Sequence, residues 1–399
     1  NSLANVVRAK SSSKNIQYLR KINRGKVIEH VALDDYCTRT SLAKSLNLTK
    51  MAISKIIACM IAEGLVEEQE LNSSQEHKLC GRRPTGLKIP QNTINAIGVR
   101  VDRSSVQSIS MDINGFAHDF ASTAIAADIT EDKLMRIIYR QISAIQKKNE
   151  DKKYYGIGIS CIGPLHVHEG VMLSPPNFYE LHNIHFVQYV KEKFGLPCYI
   201  DNDMNLGALV EQYYGCAREY AALAYIGYGT GTGSGIIENN NIIHGSKGFA
   251  CEIGHISMNF YDENKCACGQ RGCLELYTNT DFLLKNTHTE NLAELMHRCR
   301  SEGKKQFEPT LKRFRDAVLF SMVSVVNMYD PDIIVLGGEN IQLLDKNDME
   351  SLSLQLNDMI FTKKEKHVVV KKTSFDRKTE LLGGAALIFK MIMNGKIEI

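Results

Sequence analysis

The sequence predicts an α/β protein in which an N-terminal winged helix-turn-helix precedes a body of two α/β lobes. Three observations predict it. Charge is split along the chain: residues 1–90 carry 15 Lys and Arg against 8 Asp and Glu, and residues 91–399 carry 33 against 37. A basic head on a mildly acidic body fits a head that meets nucleic acid. Two short helical patterns joined by a brief turn lie near the N-terminus, the layout of a helix-turn-helix. Beyond them a pattern of strands, helix and strand appears twice, which argues for mixed α/β sheets in two halves.

Composition excludes several classes. With 399 residues the chain is long enough for a sizeable core, 44% apolar and 23% charged, with 29 Gly and only 8 Pro. That is ordinary globular usage, neither collagen-like nor disordered. No run of about 18 apolar residues occurs, so no membrane span is expected. Asn1 to Ala9 does not read as a signal peptide, and a cytoplasmic location is expected. The 11 cysteines are odd in number and do not suggest a disulfide scaffold.

The expected head spans residues 1–90. From Lys14 to Val31 the apolar positions Ile16, Leu19, Ile22, Val27, Ile28 and Val31 suit one amphipathic helix, loosened near Gly25. Thr38 can cap a short helix carrying Leu42, Ala43 and Leu46, and Thr49 a longer one that ends at Gly64. Ile53, Ile56, Ile57 and Met60 form the apolar stripe of the second. Its other early positions, Thr49, Lys50, Met51, Ser54 and Lys55, offer hydroxyls, ammonium groups and a thioether to DNA, with Thr38 and Arg39 beside them. Leu65 to Glu70 reads as a wing strand and Asn72 to Cys80 as the wing tip. In Gly81-Arg82-Arg83-Pro84, Arg82 and Arg83 are candidates for a groove or phosphate contact. A small docking domain with a solvated basic face is the alternative.

The body, residues 91–399, divides at about residue 200. Strands are expected at Ile97–Val101, Val106–Met111, Phe116–Ala121 and Tyr155–Ser160, with a helix over Ile129–Lys147. The second half repeats this with strands near Ala221–Tyr228, Gly235–Glu238, Ile242–Ile243 and Asp332–Leu336. A helix from Leu381 to Met393 closes the chain and can pack back on the first lobe. A cleft between lobes is a common place for a small ligand.

Four constellations carry chemistry. Cys266, Cys268 and Cys273, with His255 eleven residues upstream, make a closed set of three thiolates and an imidazole that suits structural Zn²⁺, one per chain. Free thiols and a core histidine are the alternative. Asp201-Asn202-Asp203-Met204-Asn205 follows a short strand; its amides and carboxylates can hold a vicinal diol, and Asp203 can act as a general base. If one metal joins His255 to Cys273, Glu252 and Glu275 are drawn together where a small polyol can sit. Gly227 to Gly235 alternates glycine with hydroxyls. It can cradle phosphate through backbone N–H groups or merely make tight turns; it is neither a dinucleotide fingerprint nor a Walker A loop.

These residues resemble the ROK family (repressor, open reading frame, kinase). Gly248-Phe249-Ala250-Cys251-Glu252-Ile253-Gly254-His255 with Cys266-Ala267-Cys268-Gly269-Gln270-Arg271-Gly272-Cys273-Leu274-Glu275 resembles its zinc signature. Asp201 to Asn205 resembles its sugar and general-base motif, and Gly337-Gly338 its nucleotide-side strand end. The winged head is found in the repressor branch, and the overall run resembles the xylose repressors of low-GC Gram-positive bacteria. The resemblance implies an actin-like, hexokinase-type ATPase fold, a homodimer or dimer of dimers, double-stranded operator DNA as partner, and a small sugar as effector. It implies Asn202, Asp203, Glu252, His255 and Glu275 as sugar-holding residues. It also implies His255, Cys266, Cys268 and Cys273 as zinc ligands.

The kinase half departs from pattern. Kinases of the family open with Gly-x-Asp-Ile-Gly-Gly-Thr; here the run is Gly98-Val99-Arg100-Val101-Asp102-Arg103-Ser104. Arg100 replaces the acid, and Asp102 and Arg103 replace the loop glycines. A carboxylate repels triphosphate and side chains fill the cradle. A sugar sensor without phosphotransfer is therefore expected, with Asp203 a vestigial base. The alternatives are an ATP-dependent sugar kinase with an added head, or a regulator answering to a phosphosugar or a protein partner.

Overall fold

The computed structural model describes residues 2–70 and 85–399, with side chains from residue 17 onward except that of residue 377. Arg82, Arg83 and the expected wing tip lie outside the described residues. The N-terminal helix α1 (Ser2–Leu33) is followed by α2 (Arg39–Ser45) and α3 (Lys50–Ala62). Thr38 caps α2 by accepting the Ser41 N–H at 3.1 Å, and Thr49 caps α3 by accepting that of Ala52 at 3.2 Å. Ile53, Ile57 and Met60 are buried against Val27, Ile28 and Leu42. The strands β1 (Glu67–Glu70) and β2 (Thr85–Lys88) pair antiparallel.

The expected loosening of α1 near Gly25 does not occur. The helix runs through this position unbroken, and the glycine serves packing instead. A Cβ there would stand 2.4 Å from the Met393 carbonyl oxygen, because α1 crosses the C-terminal helix at van der Waals contact.

Two five-stranded sheets follow, built to one plan. The first takes β3 (Asn95–Val101), β4 (Ser105–Asp112), β5 (Ala117–Ala124), β6 (Tyr154–Cys161) and, after a small hairpin of β7 (Leu165–His166) and β8 (Val171–Met172), β9 (Cys198–Asn202). Their order is β5-β4-β3-β6-β9. Helices α4 (Glu131–Lys148) and α5 (Phe186–Phe194) supply the crossovers, and α6 (Asp203–Tyr214) leaves the end of β9. The second takes β10 (Leu223–Tyr228), β11 (Thr232–Glu238) and β12 (Asn241–Ile242). The short helices α7 (Glu275–Thr278), α8 (Thr280–Thr287) and α9 (Leu292–Ser301) precede the long α10 (Glu308–Tyr329). Then come β13 (Ile333–Gly337), α11 (Lys346–Met359), β14 (Val369–Lys372) and α12 (Thr379–Met393). The order is β12-β11-β10-β13-β14. In each sheet an antiparallel meander of three strands is extended by two parallel ones.

α12 and α6 lie between the sheets. α12 is buried along Leu381 to Phe389 and packs on β3 and β6, where Gly384 meets Gly158 and Gly98 with no room for a Cβ. The alternating glycines of residues 227–235 also have a packing cause. Gly227, Gly233 and Gly235 lie against Met204 in the first turn of α6, and an added Cβ on any of them would approach Met204 within 3 Å. The run is a hairpin, β10 to β11, turning through residues 229–231, and not an extended loop.

Candidate functional site

A cleft of about 530 Å³ opens between the two sheets. The β9–α6 junction supplies one wall. Asn202 caps α6, accepting the Met204 N–H at 2.9 Å, and Asp203 follows on the first turn with its carboxyl buried. Burial, with Glu380 nearby, pushes Asp203 up to about 7, although Arg100 opposes the shift. The segment before the short 3₁₀ turn at Ile253–His255 supplies Glu252. Asn202 and Glu252 both face Gly163: an added Cβ there would lie 3.3 Å from the Asn202 amide nitrogen and 3.8 Å from a Glu252 carboxylate oxygen. Burial raises Glu252 above the ordinary carboxylate range, and neighbouring Glu275 adds to the shift against His255. Glu275, at the start of α7, accepts the Thr232 N–H at 3.0 Å, which fixes it over the β10–β11 turn. Asn202, Asp203, Glu252, His255 and Glu275 all line this one cleft.

His255 joins the cleft to a second cluster. His255, Cys266, Cys268 and Cys273 place one ligand atom each within 4.8 Å of one another. Cys266 Sγ lies 3.6 Å from His255 Nδ1, and Cys268 Sγ 3.6 Å from Cys273 Sγ. Tetrahedral metal–sulfur bonds of about 2.3 Å set ligand atoms about 3.8 Å apart. The donor set and its spacing therefore fit a metal ion. The chain is tightly wound around this cluster: Gly272 is left-handed at φ 63°, and a Cβ there would sit 1.9 Å from the Asn259 carbonyl oxygen. With Nδ1 facing Cys266, Nε2 is the nitrogen left to the cleft.

The β3–β4 turn forms the opposite wall. Asp102 Oδ1 accepts the N–H groups of Ser104 at 2.7 Å and Ser105 at 2.9 Å, and the Ser104 hydroxyl at 2.7 Å. Its Oδ2 is 3.2 Å from Arg100 Nη1. Burial works against the Arg100 charge, but Glu380, Asp102 and Asp203 more than offset it. Tyr225 donates to Glu380 at 2.7 Å. Arg103 Nε donates to the Pro176 carbonyl at 3.0 Å.

On the α2–α3 face, Thr49, Lys50, Met51, Ser54 and Lys55 are exposed, Met51 to 82%. Thr38 and Thr49 use their hydroxyls as caps, and Arg39 is paired with Glu68 of β1.

Sequence reasoning did not single out Glu380, His244 or Tyr225. Asp201 was visible only as part of its motif. Glu380, His244 and Tyr225 carry no local signal; the fold brings them in from α12, the residues after β12, and β10.

The ROK family model matches residues 97–391, nearly three-quarters of the chain. The chain belongs to the ROK family. Among its relatives, the xylose repressor of Caldicellulosiruptor bescii is 26% identical over 397 residues, covering 94% of this chain and 97% of that one. The DNA-binding transcriptional dual regulator NagC of Escherichia coli is 22% identical, covering 96% and 95%. A ROK family transcriptional regulator, a homologue of the E. coli MLC protein, superposes with a TM-score of 0.79 at 20% identity, over 95% of this chain and 98% of its own. A ROK glucokinase from Streptomyces griseus, solved with glucose and AMPPNP, superposes at 0.63 with 20% identity, over 73% of this chain and 98% of its own. The fold is thus the actin-like, hexokinase-type ROK fold behind an N-terminal winged helix-turn-helix. Among the described residues no helix is long and apolar enough to cross a membrane.

Proposed function

We propose that this chain is a sugar-responsive transcriptional repressor, whose operator binding is relieved by a small neutral sugar in the cleft, a xylose-like pentose or a hexose. The observation that carries the reading is the convergence of Asn202, Asp203, Glu252 and Glu275 on one cleft, in a chain that also presents the exposed face of α3. Carboxylates and an amide accept and donate to adjacent hydroxyls. The cleft walls carry Asp102, Asp203, Glu252, Glu275, Glu339 and Glu380 against Arg100 and Arg103. That balance favours a neutral polyol over a phosphosugar or a nucleotide.

His255, Cys266, Cys268 and Cys273 would hold a structural Zn²⁺. When bound, the ion fixes the tautomer of His255 and clamps the segments bearing Glu252 and Glu275. Asp102 takes the backbone donors that a phosphate would need, so no phosphotransfer follows from the retained Asp203.

Residues 1–90 act as the DNA-binding domain. Lys50, Met51, Ser54 and Lys55 meet the major groove, Thr38, Arg39 and Thr49 lie beside the backbone, and Arg82 and Arg83, outside the described residues, add positive charge for phosphate or groove contact. Residues 91–399 act as the sensor, with lobes at about 91–200 and 201–399. A homodimer or dimer of dimers in the cytoplasm would present two heads to a two-fold operator. The route between sites runs along α6. Its first turn bears Asp203; just beyond its end Arg218 donates to the Leu33 carbonyl at 2.5 Å and pairs with Asp35 at 3.0 Å, gripping the end of α1. Sugar that repositions α6 repositions the head.

The test is fluorescence anisotropy on DNA from upstream of the protein's own gene and neighbouring sugar genes, at fixed salt, with a panel of pentoses and hexoses. Tight binding released by one sugar supports the reading. Tight binding indifferent to every sugar overturns the effector assignment.

A further inference from the structure

Behind the cleft wall, Asp201 is held from three directions. Oδ1 accepts the Asn202 N–H at 2.8 Å and the Asn205 side-chain amide at 3.0 Å. Oδ2 lies 2.7 Å from His244 Nε2. Asp201 is almost completely buried, and His244 is 38% exposed. His244 does not line the cleft. It begins the segment that ends at Glu252, and this segment folds back on it: the Ala250 N–H donates to the His244 carbonyl at 3.2 Å. Gly245, left-handed at φ 71°, makes the turn, with Ala250 packed against it. One imidazole thus spans from the segment bearing Glu252, after β12, to the end of β9, which bears Asn202 and leads into Asp203.

We propose that His244 is a positioning residue for the sugar site: through its bond to Asp201 it fixes the Glu252 segment against the Asn202–Asp203 strand end. The inference rests on the sugar-binding reading above. Every hydroxyl of a bound sugar that Glu252 and Asn202 share depends on this tie, because a charge-assisted hydrogen bond between two segments sets their spacing more stiffly than a neutral one.

The tie depends on protonation. The groups facing His244 are Asp201 from β9, the Ile242 backbone from β12 and Lys390 from α12; Lys390 in turn faces Lys26 and Glu29 of α1 and Lys396. The bond to Asp201 raises His244 above its ordinary value, against burial and Lys390. Below that raised value the imidazole is protonated and the bond is an ion pair; as pH rises through it the imidazole loses its charge and the bond becomes an ordinary hydrogen bond to the carboxylate.

The experiment uses the full chain, its His244→Ala and His244→Gln variants, and D-xylose as probe. Without sugar, amide exchange over residues 244–252, corrected for intrinsic rates, is expected to quicken about tenfold in His244→Ala. The core amides of β10 and β13 are expected to keep their wild-type protection. Unchanged exchange over 244–252, or an increase spread through the whole chain, overturns the inference. With sugar, wild-type affinity is expected to lose an increment as pH rises through the raised His244 value, an increment that is missing in His244→Gln, whose amide keeps the bond without titrating. Asp203 and Glu252 titrate in both proteins, so the difference between the two profiles isolates His244. Identical profiles overturn the inference. If wild type does not bind D-xylose, the exchange measurement alone decides the tie, and the pentose and hexose panel above decides the sugar reading.

Discussion

The Arg100 guanidinium stands 3.2 Å from the Asp102 carboxylate, and the same carboxylate holds the N–H groups of Ser104 and Ser105. An internal anion and its counter-ion therefore occupy this turn, and on the proposed reading they leave it no backbone donors for a phosphate. Purified protein given ATP, Mg²⁺ and each sugar in turn is expected to release no ADP above the sugar-free control in a coupled assay. Sustained, sugar-dependent ADP release would show that the turn still admits nucleotide.

Asp203 makes stability depend on pH. Its carboxyl ionises near 3.8 when exposed and near 7 in the fold, chiefly through burial. Between these values the folded state binds the extra proton, so stability falls as pH rises from about 4 to about 7 and is flat above. Asn in its place keeps the acceptor for the Met204 N–H and cannot ionise. Asp203→Asn is expected to gain stability over wild type at pH 8, on the order of 2–4 kcal/mol, and little at pH 4. Urea titrations at the two pH values check this; an equal pH slope in both proteins would remove Asp203 as its source.

The metal cluster predicts linked losses. Elemental analysis of protein purified without added metal should find about one zinc per chain. Cys273→Ser should lower that content, and should weaken sugar affinity at least about tenfold, because His255 and Glu275 are held by the same wrap. Full zinc content in the variant, or none in wild type, would return the cysteines to a packing role.

Much of this site is legible from residue spacing. Cys266, Cys268, Cys273 and His255 advertise a metal because few other arrangements crowd three thiols, and Asn202 and Asp203 stand where a strand ends. Thr38 and Thr49 announce their helices because capping is local chemistry. What the sequence hides is whatever tertiary contact decides. Gly25 reads as a helix weakness until α12 is seen against it. The glycines at 227, 233 and 235 read either as a phosphate cradle or as tight turns, and their packing against Met204 is invisible in the sequence. His244 and Glu380 carry no motif, since their partners Asp201 and Tyr225 are distant in the chain. Cys251 is left-handed at φ 68° beside Glu252, a strained position that no composition rule picks out.

Relief of operator binding by sugar requires that sugar and operator prefer different arrangements of one molecule. Linkage makes this reciprocal, so sugar affinity must differ between free and DNA-bound protein. The direct measurement is calorimetry of the tightest-binding sugar with free protein and with protein saturated by operator DNA at the same salt. Glu275→Gln, which retains an acceptor for the Thr232 N–H, serves as the control. The Kd is expected to be weaker by about fivefold or more on DNA, with little sugar binding by Glu275→Gln in either state. Equal affinity with and without operator, or undiminished binding by Glu275→Gln, would contradict this coupling.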